Sequence, residues 1–403
     1  MNLKNGIDNC NYLMEKGVEI PLPHTLFIGP EVDLERISGE GVTLYPGTRI
    51  SGKDTLIMSG TTLGKEAPVT LDNCHVGPDT HLKGGFFQDA VFVGKNSFGS
   101  GAHVRGGTIL EEEAGAAHTV GLKQTILLPF VTLGSLINFC DLLMAGGTSR
   151  KDHSEVGSSY IHFNYTPEQH KATASLLGNV HQGVMLDQPP IFLGGQGGLV
   201  GPRSLAFGTV VAAGTICRRD EPRPGCLIFG GAMKSGSIPM GKKKFRDIHN
   251  IFEKNCHYIQ NLIALLAWYQ QIRPLFFSHN FLSKALLSGM QTTLEGCIKE
   301  RIKRLDGFCE GLKRYGEKIQ SRGDGPPAEV TPRDAVLRKW SKIKYQMEEK
   351  AFLYPLPRAP GDFVDCILHG IQHQGFHYTR VIHSLSPTAR AMGMAWLKGI
   401  CDD

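Results

Sequence analysis

His153 and His162 lie in one polar stretch, and imidazole is the side chain best suited to take a proton near neutral pH. His153 follows the loop Ser149-Arg150-Lys151-Asp152. His162 sits two positions before Asn164 in the segment Ser158–Thr173, SSYIHFNYTPEQHKAT. If Ile161 turns inward on a strand, His162 turns outward. Asn164 and Tyr165 can meet an amide, a hydroxyl or a phosphate; an asparagine ladder with a corner aromatic explains them equally well. Lys123 and Lys171 can hold phosphate as point charges. These residue types suit acyl transfer to an amine or hydroxyl, which needs a neutral base and donors for the oxyanion. A second cluster, Asp365, His369, His373 and His377, recurs every four positions, as metal ligands do on a helix. Gly370 and Gly375 weaken that helix, and Phe363, Ile367 and Phe376 point to packing, so no metal is expected there.

What positions the first group is a repeat of six. Leu193, Leu199, Leu205, Val211 and Cys217 follow one another at that spacing, with shorter runs at Leu44, Ile50, Leu56, at Val76, Leu82 and at Val120, Ile126. Glycine follows many aliphatic residues directly, as in Leu63-Gly64, Val76-Gly77, Val156-Gly157 and Leu193-Gly194. One inward aliphatic residue and one permissive turn per six residues describe a short strand and a corner. Three such units close a triangular coil, and coils stack in parallel. The fold expected is a left-handed parallel β-helix over 21–240, after an N-terminal segment 1–20. The hexads break near 84–92, 111–119 and 141–155, where loops are expected to leave the coil. A β-sandwich would alternate with period two instead.

After Gly241 the spacing changes to three and four. Ile248, Ile251, Phe252, Ile259, Leu262, Ile263 and Leu266 form one helical stripe that Pro274 ends. A second runs from Leu294 to Ile319, a third helix covers about Asp334–Leu353, and two short helices close the chain. An α-helical domain is expected over 245–403, packed on the end of the β-helix as its cap. Charge divides at the same place: net −4 over the first 241 residues and +9 over the rest. Lys242-Lys243-Lys244 has no interleaved aromatics, so nucleic-acid binding is disfavoured. Hydrophobic residues make up 41% and charged residues 20%, which excludes a disordered chain or a coiled-coil rod. No apolar run is long enough to span a bilayer, and Met1–Asn11 lacks a signal-peptide core. The ten cysteines form no CxxC pair and read as reduced, buried thiols of a cytoplasmic protein.

Three motifs are specific in their order and spacing: His118–Thr125 with Lys123, Gly157–Pro167 with Asn164-Tyr165, and Ala212-Ala213-Gly214-Thr215. Over about 118–220 the chain resembles the left-handed β-helix domain of bifunctional N-acetylglucosamine-1-phosphate uridyltransferase/glucosamine-1-phosphate acetyltransferase. It resembles the related UDP-N-acetylglucosamine pyrophosphorylase-like proteins more broadly. The resemblance implies a homotrimer with sites between neighbouring β-helices and a sugar phosphate or nucleotide sugar as substrate. It implies acetyl-CoA as donor, with Ala212, Ala213, Arg218 and Arg219 on its side of the site. It does not extend to the helical region. Residues 1–30 lack the family's Gly-rich, basic pyrophosphorylase loop, so uridyl transfer is not expected. The family's His-x-x-Tyr step falls on Leu136–Phe139, LINF, which carries neither functional group. Two readings follow: an acyltransferase-like protein using another base, such as His162 or His153, or a non-catalytic nucleotide-sugar-binding or scaffolding protein on the same trimer.

Overall fold

The computed structural model describes residues 3–164, 171–230, 236, 247–321, 331–353 and 355–402. Helix α1 (Leu3–Glu15) buries Cys10 and Leu13 against the first coil. From Phe27 to Ile228 the chain is a parallel β-solenoid, as the six-residue period requires. One face is a ten-stranded sheet; the other two share a sixteen-stranded sheet. Inward residues stack from coil to coil: Leu44 on Leu63, Leu63 on Leu82, Leu82 on Phe98 and Leu193 on Val211. All are fully buried.

The corners form three columns of left-handed backbone, shared between glycines and other residues. Asn73, Asp89, Gln124 and Asp141 make one column; Asp79, Lys95, Glu113 and Phe130 a second; Thr119, Leu136, Ser159 and Gln196 a third. Each non-glycine corner costs on the order of 1 kcal/mol, offset by the sheet bonds it closes. Glycines after aliphatic residues answer a different need. A Cβ on Gly77 would lie 2.1 Å from the Val93 carbonyl oxygen, and one on Gly194 would lie 2.3 Å from the Ala213 nitrogen. They let adjacent coils approach.

The expected breaks near 84–92 and 111–119 stay inside the coil. Gly85–Gln88, Ala90–Phe92 and Gly115–Ala116 are strands in register with their neighbours. Some coils are shorter than three full hexads, as where Leu71 pairs Phe87 and Leu82 pairs Phe98, so the phase slips while the ladder continues. Within 141–155, strand Asn138–Met144 also stays in the sheet. Only the hairpin Gly147–Ser149 with Asp152–His153 leaves it. Farther on, the short helix α2 (Val180–Gly183) interrupts the coil, capped by the Asn179 side chain.

The helical region holds α3 (Ile248–Gln271), α4 (Pro274–Phe277), α5 (Phe281–Gln320), α6 (Pro332–Phe352), α7 (Gly361–Gln374), α8 (Tyr378–Ser384) and α9 (Pro387–Asp402). Three helices, rather than two, follow Pro360. Their placement corrects the expected end cap. Helix α5 lies along the solenoid's flank, over strands Leu56–Ile57, His75–Val76, Ala90–Phe92 and Thr108–Leu110. That flank is buried on both sides. Val76, Phe92 and Leu110 point into the coil, while Leu56, Val91, Ile109 and Ile126 turn outward beneath the helices. Leu56 and Ile126 therefore belong to the interface and not to the coil interior. Among the described residues, no helix is long and apolar enough to cross a membrane, and all ten cysteines are free thiols.

Candidate functional site

On the open face opposite the helices, alternate residues of three adjacent strands point outward. Ala102–Val104 and the residue after it present His103 and Arg105; Gly121–Leu127 presents Gly121 and Lys123; Asn138–Met144 presents Asn138 and Cys140. Gly121 has no side chain, so the face dips between His103 and Asn138. The basin measures about 310 Å³, with Arg105, Thr119 and Cys140 on its rim. His103 is held by stacking on Phe86, with ring centroids 5.1 Å apart. Arg105 and Lys123 occupy neighbouring strands, about 4.8 Å apart. Arg105 is exposed to solvent and any anion there, while Lys123 also borders the cleft under α5. Burial pushes the Cys140 thiol up, against the pull of Arg105 and Lys123, so it stays protonated.

Farther along this face come Ile161, Phe163 and Ile216, each exposed by 38–39%. Arg218 follows Ile216 two positions on. It lies about four strands from Lys123, roughly 19 Å at 4.8 Å per strand. The face thus carries a cation pair, an apolar strip and a second pair, Arg218 and Arg219, both exposed. Ala212 and Ala213 sit at the adjoining corner, where the Ala212 N–H bonds the Ile228 carbonyl at 2.8 Å.

Other expected residues do not converge here. His162 faces inward, reversing its expected orientation: Ile161 is the exposed neighbour and His162 is 3% exposed. It stacks on Leu199 in the coil core, six residues after Val156, where the hexad places an inward residue. Its Nδ1–H donates to the Cys140 carbonyl, so Nε2 accepts from Ser175 Oγ at 2.9 Å. Hydroxyl and imidazole have nucleophile–base geometry. Burial of both, and the Arg203 N–H that Ser175 Oγ also accepts, make the pair a lock within the coil. His153 lies on the projecting hairpin beside the ten-stranded face. Its Nδ1–H donates to the Arg150 carbonyl, and Nε2 lies 3.8 Å from Glu155. Arg150 pins the hairpin to Thr132 Oγ1 at 2.7 Å. Asn164 is half-buried and Lys171 exposed; Tyr165 lies outside the described residues. His369 and His373 meet at 3.1 Å on exposed α7. Among the described residues, no group of three His, Cys, Asp or Glu is placed to hold a metal. Arg105, His103 and Asn138 went unnoticed in the sequence, although Arg105 precedes Lys123 by one coil.

The bifunctional protein GlmU of Clavibacter sepedonicus is 28% identical to this chain over 211 residues, covering 52% of the chain and 38% of that protein. The chain resembles GlmU. GlmU of Fervidobacterium nodosum is 26% identical over 253 residues, 60% of the chain and 48% of that protein. GlmU of Staphylococcus haemolyticus is 24% identical over 213 residues, 52% and 41%. The chain spans less than half the length of each of these GlmU proteins. No family model matches the chain.

Proposed function

We propose that the open face is an acyl-transfer site for a sugar phosphate or nucleotide sugar, with acyl-CoA as donor. The observation that carries this reading is the order of groups along one face. Arg105 and Lys123 suit a sugar phosphate. The strip Ile161, Phe163, Ile216 suits an extended apolar arm, and Arg218 and Arg219 suit the phosphates of a coenzyme. The resemblance to GlmU supports the same assignment. In this reading Asn138 bonds the acceptor sugar, and exposed His103 takes the proton of the attacking amine or hydroxyl, since LINF offers no base. The bond from the acyl carbon to sulfur breaks as the new bond to nitrogen or oxygen forms, and the proton ends on the departing thiol. A single β-helix face is nearly flat, so we place the working cleft between copies in a homotrimer. The outward column Phe192, Val210, Leu227 on the neighbouring face, 37–60% exposed, supplies apolar surface for such contact.

Calorimetric titration with acetyl-CoA, then turnover against a panel of amino-sugar phosphates, tests the proposal. Arg105→Ala and Lys123→Ala should each weaken acceptor phosphate binding at unchanged fold. Arg218→Ala should weaken acetyl-CoA, and His103→Gln should lower kcat with KM little changed. Absence of acetyl-CoA binding in the wild type overturns the acyl-transfer reading. Light scattering should report three 44.1 kDa chains per particle.

A further inference from the structure

Beneath α5 the structure holds a cleft of about 890 Å³, between that helix and the corner column of Asn73, Asp89 and Gln124. The helix forms the roof and belongs to the region outside the family resemblance. Where α5 crosses the solenoid it carries Ser288, Gly289, Thr292, Thr293 and Gly296. These short side chains leave the space open. A Cβ on Gly296 would meet nothing within 4 Å, whereas one on Gly289 would lie 2.5 Å from the His75 ring. Helix and solenoid therefore touch at Gly289 and stand apart at Gly296.

The lining mixes apolar surface with charged and hydrogen-bonding groups of both signs. Three cations, Arg36, Lys123 and Lys284, face three carboxylates, Asp54, Asp89 and Glu300. Burial, with Arg36 beside it, holds His75 down to about 4, so it adds no charge at neutral pH. Arg36 is fixed by the Asp54 carbonyl at 2.8 Å and by His75 Nε2 at 3.3 Å. In the corner wall, Gln124 Oε1 is buried without a hydrogen-bond partner among the described residues. Phe281, 60% exposed, stands at the mouth. Glu300 is itself paired with Arg304 at 2.6 Å, so three cations and two carboxylates remain, nearly balanced and with only a weak pull on an anion. Carboxylates and amide oxygens accept, while guanidinium, ammonium and hydroxyl groups donate, in one small volume. That mixture matches a ligand whose own groups both donate and accept at close spacing and that has an apolar ring face for Phe281.

We propose that the cleft between α5 and the solenoid corner is a binding site for a neutral saccharide. It is separate from the acyl-transfer reading, which concerns the open face, although Lys123, beside Arg105 on the next strand, also lines this cleft.

The full chain, titrated by calorimetry with maltose, lactose and N-acetylglucosamine, should bind at least one of them saturably in the millimolar range or tighter. Uridine diphosphate serves as the charged control. Gly296→Leu adds a side chain whose Cβ meets no neighbour within 4 Å and should weaken that saccharide by about tenfold or more, at unchanged melting behaviour. Thr292→Val, which keeps the shape and removes the hydroxyl, should weaken it by a smaller factor. Neither variant should alter acetyl-CoA binding, and Arg218→Ala should leave saccharide binding intact. No saturable saccharide binding overturns the proposal. So does binding that Gly296→Leu leaves unchanged, or a cleft that takes uridine diphosphate alone.

Discussion

The most consequential single residue outside the two sites is Glu111. It is fully buried where the solenoid meets the helices, and its Oε1 accepts from Tyr269 Oη at 2.6 Å. Glu112, next in the chain, pairs with Arg273 Nη2 at 2.6 Å. Arg273 is also fully buried, with its guanidinium 3.7 Å from the centre of the Tyr378 ring. Arg273 can satisfy one neighbouring carboxylate as an ion; the second is held as the acid. Burial pushes the Glu111 carboxyl up to about 7, while Arg273 pulls it down and Glu112 raises it. The folded chain therefore keeps a proton that the unfolded chain releases near 4.5. Stability should be full below about 4.5, fall as pH rises toward 7, and level off above it. Thermal melting from pH 5 to 8 checks this: Glu111→Gln should flatten the fall. A wild-type melting temperature that rises with pH through this range contradicts the assignment. Removing the partner charge is different in kind. Arg273→Ala leaves half-buried Glu112 unpaired and should cost about 3 kcal/mol.

At the scale of elements, α5 does two jobs along one length, and its glycines separate them. Gly289 lets the helix touch His75; Gly296 borders open space. At the cleft wall the helix is pinned again by Cys297 on the Gly107 carbonyl at 3.3 Å, and just past it by Arg301 on Asp141 at 2.8 Å. Any side chain at position 289 must push the helix from the corner. Gly289→Leu should destabilise by about 1–3 kcal/mol in chemical denaturation, as overpacking does. Gly296→Ala, with the same backbone change and no neighbour, should be neutral or stabilise by up to about 1 kcal/mol. Equal effects at the two positions would mean that contact with His75 is not what holds α5. Helix α7 shows the same logic on its buried side. A Cβ on Gly370 would lie 2.8 Å from Val381, so that glycine seats α8.

For the whole molecule, the flank placement of the helices makes them part of the core. Leu56, Val91, Ile109 and Ile126 are at most 1% exposed beneath them, and each such side chain is worth about 1.5–3 kcal/mol when fully buried. Tyr269 of α3, bonded to Glu111, and Leu286, Met290 and Leu294 of α5 are buried as well, while Trp268 packs on Phe363 and Trp396 within the helical region. Solenoid and helices should then melt in a single calorimetric transition. A chain ending after residue 246 should expose this flank, together with Glu111 and Glu112, and aggregate in light scattering. A monodisperse, fully folded fragment would show that the solenoid is stable without its helical flank.

The hexads alone determined the solenoid, because a six-residue unit with one inward aliphatic side chain admits few other folds. The three- and four-residue stripes likewise determined α3, α6 and the Leu294–Ile319 part of α5, which in the structure begins at Phe281. The hexads also hold the orientation of His162, which falls six residues after Val156; an inward Ile161 would be one step out of that register, and one step turns every side chain over. Lys123 was legible from its motif. Its neighbours Arg105, His103 and Asn138 were not, because lateral pairing between coils joins residues a full turn apart, and the coil length varies where the phase slips. Nothing in the helical stripes tells which surface they cover. A stripe records that a face is buried, not against what. Only the tertiary structure decided that α5 lies along the flank and stands off from one corner, leaving a cleft between two elements that each look complete in sequence.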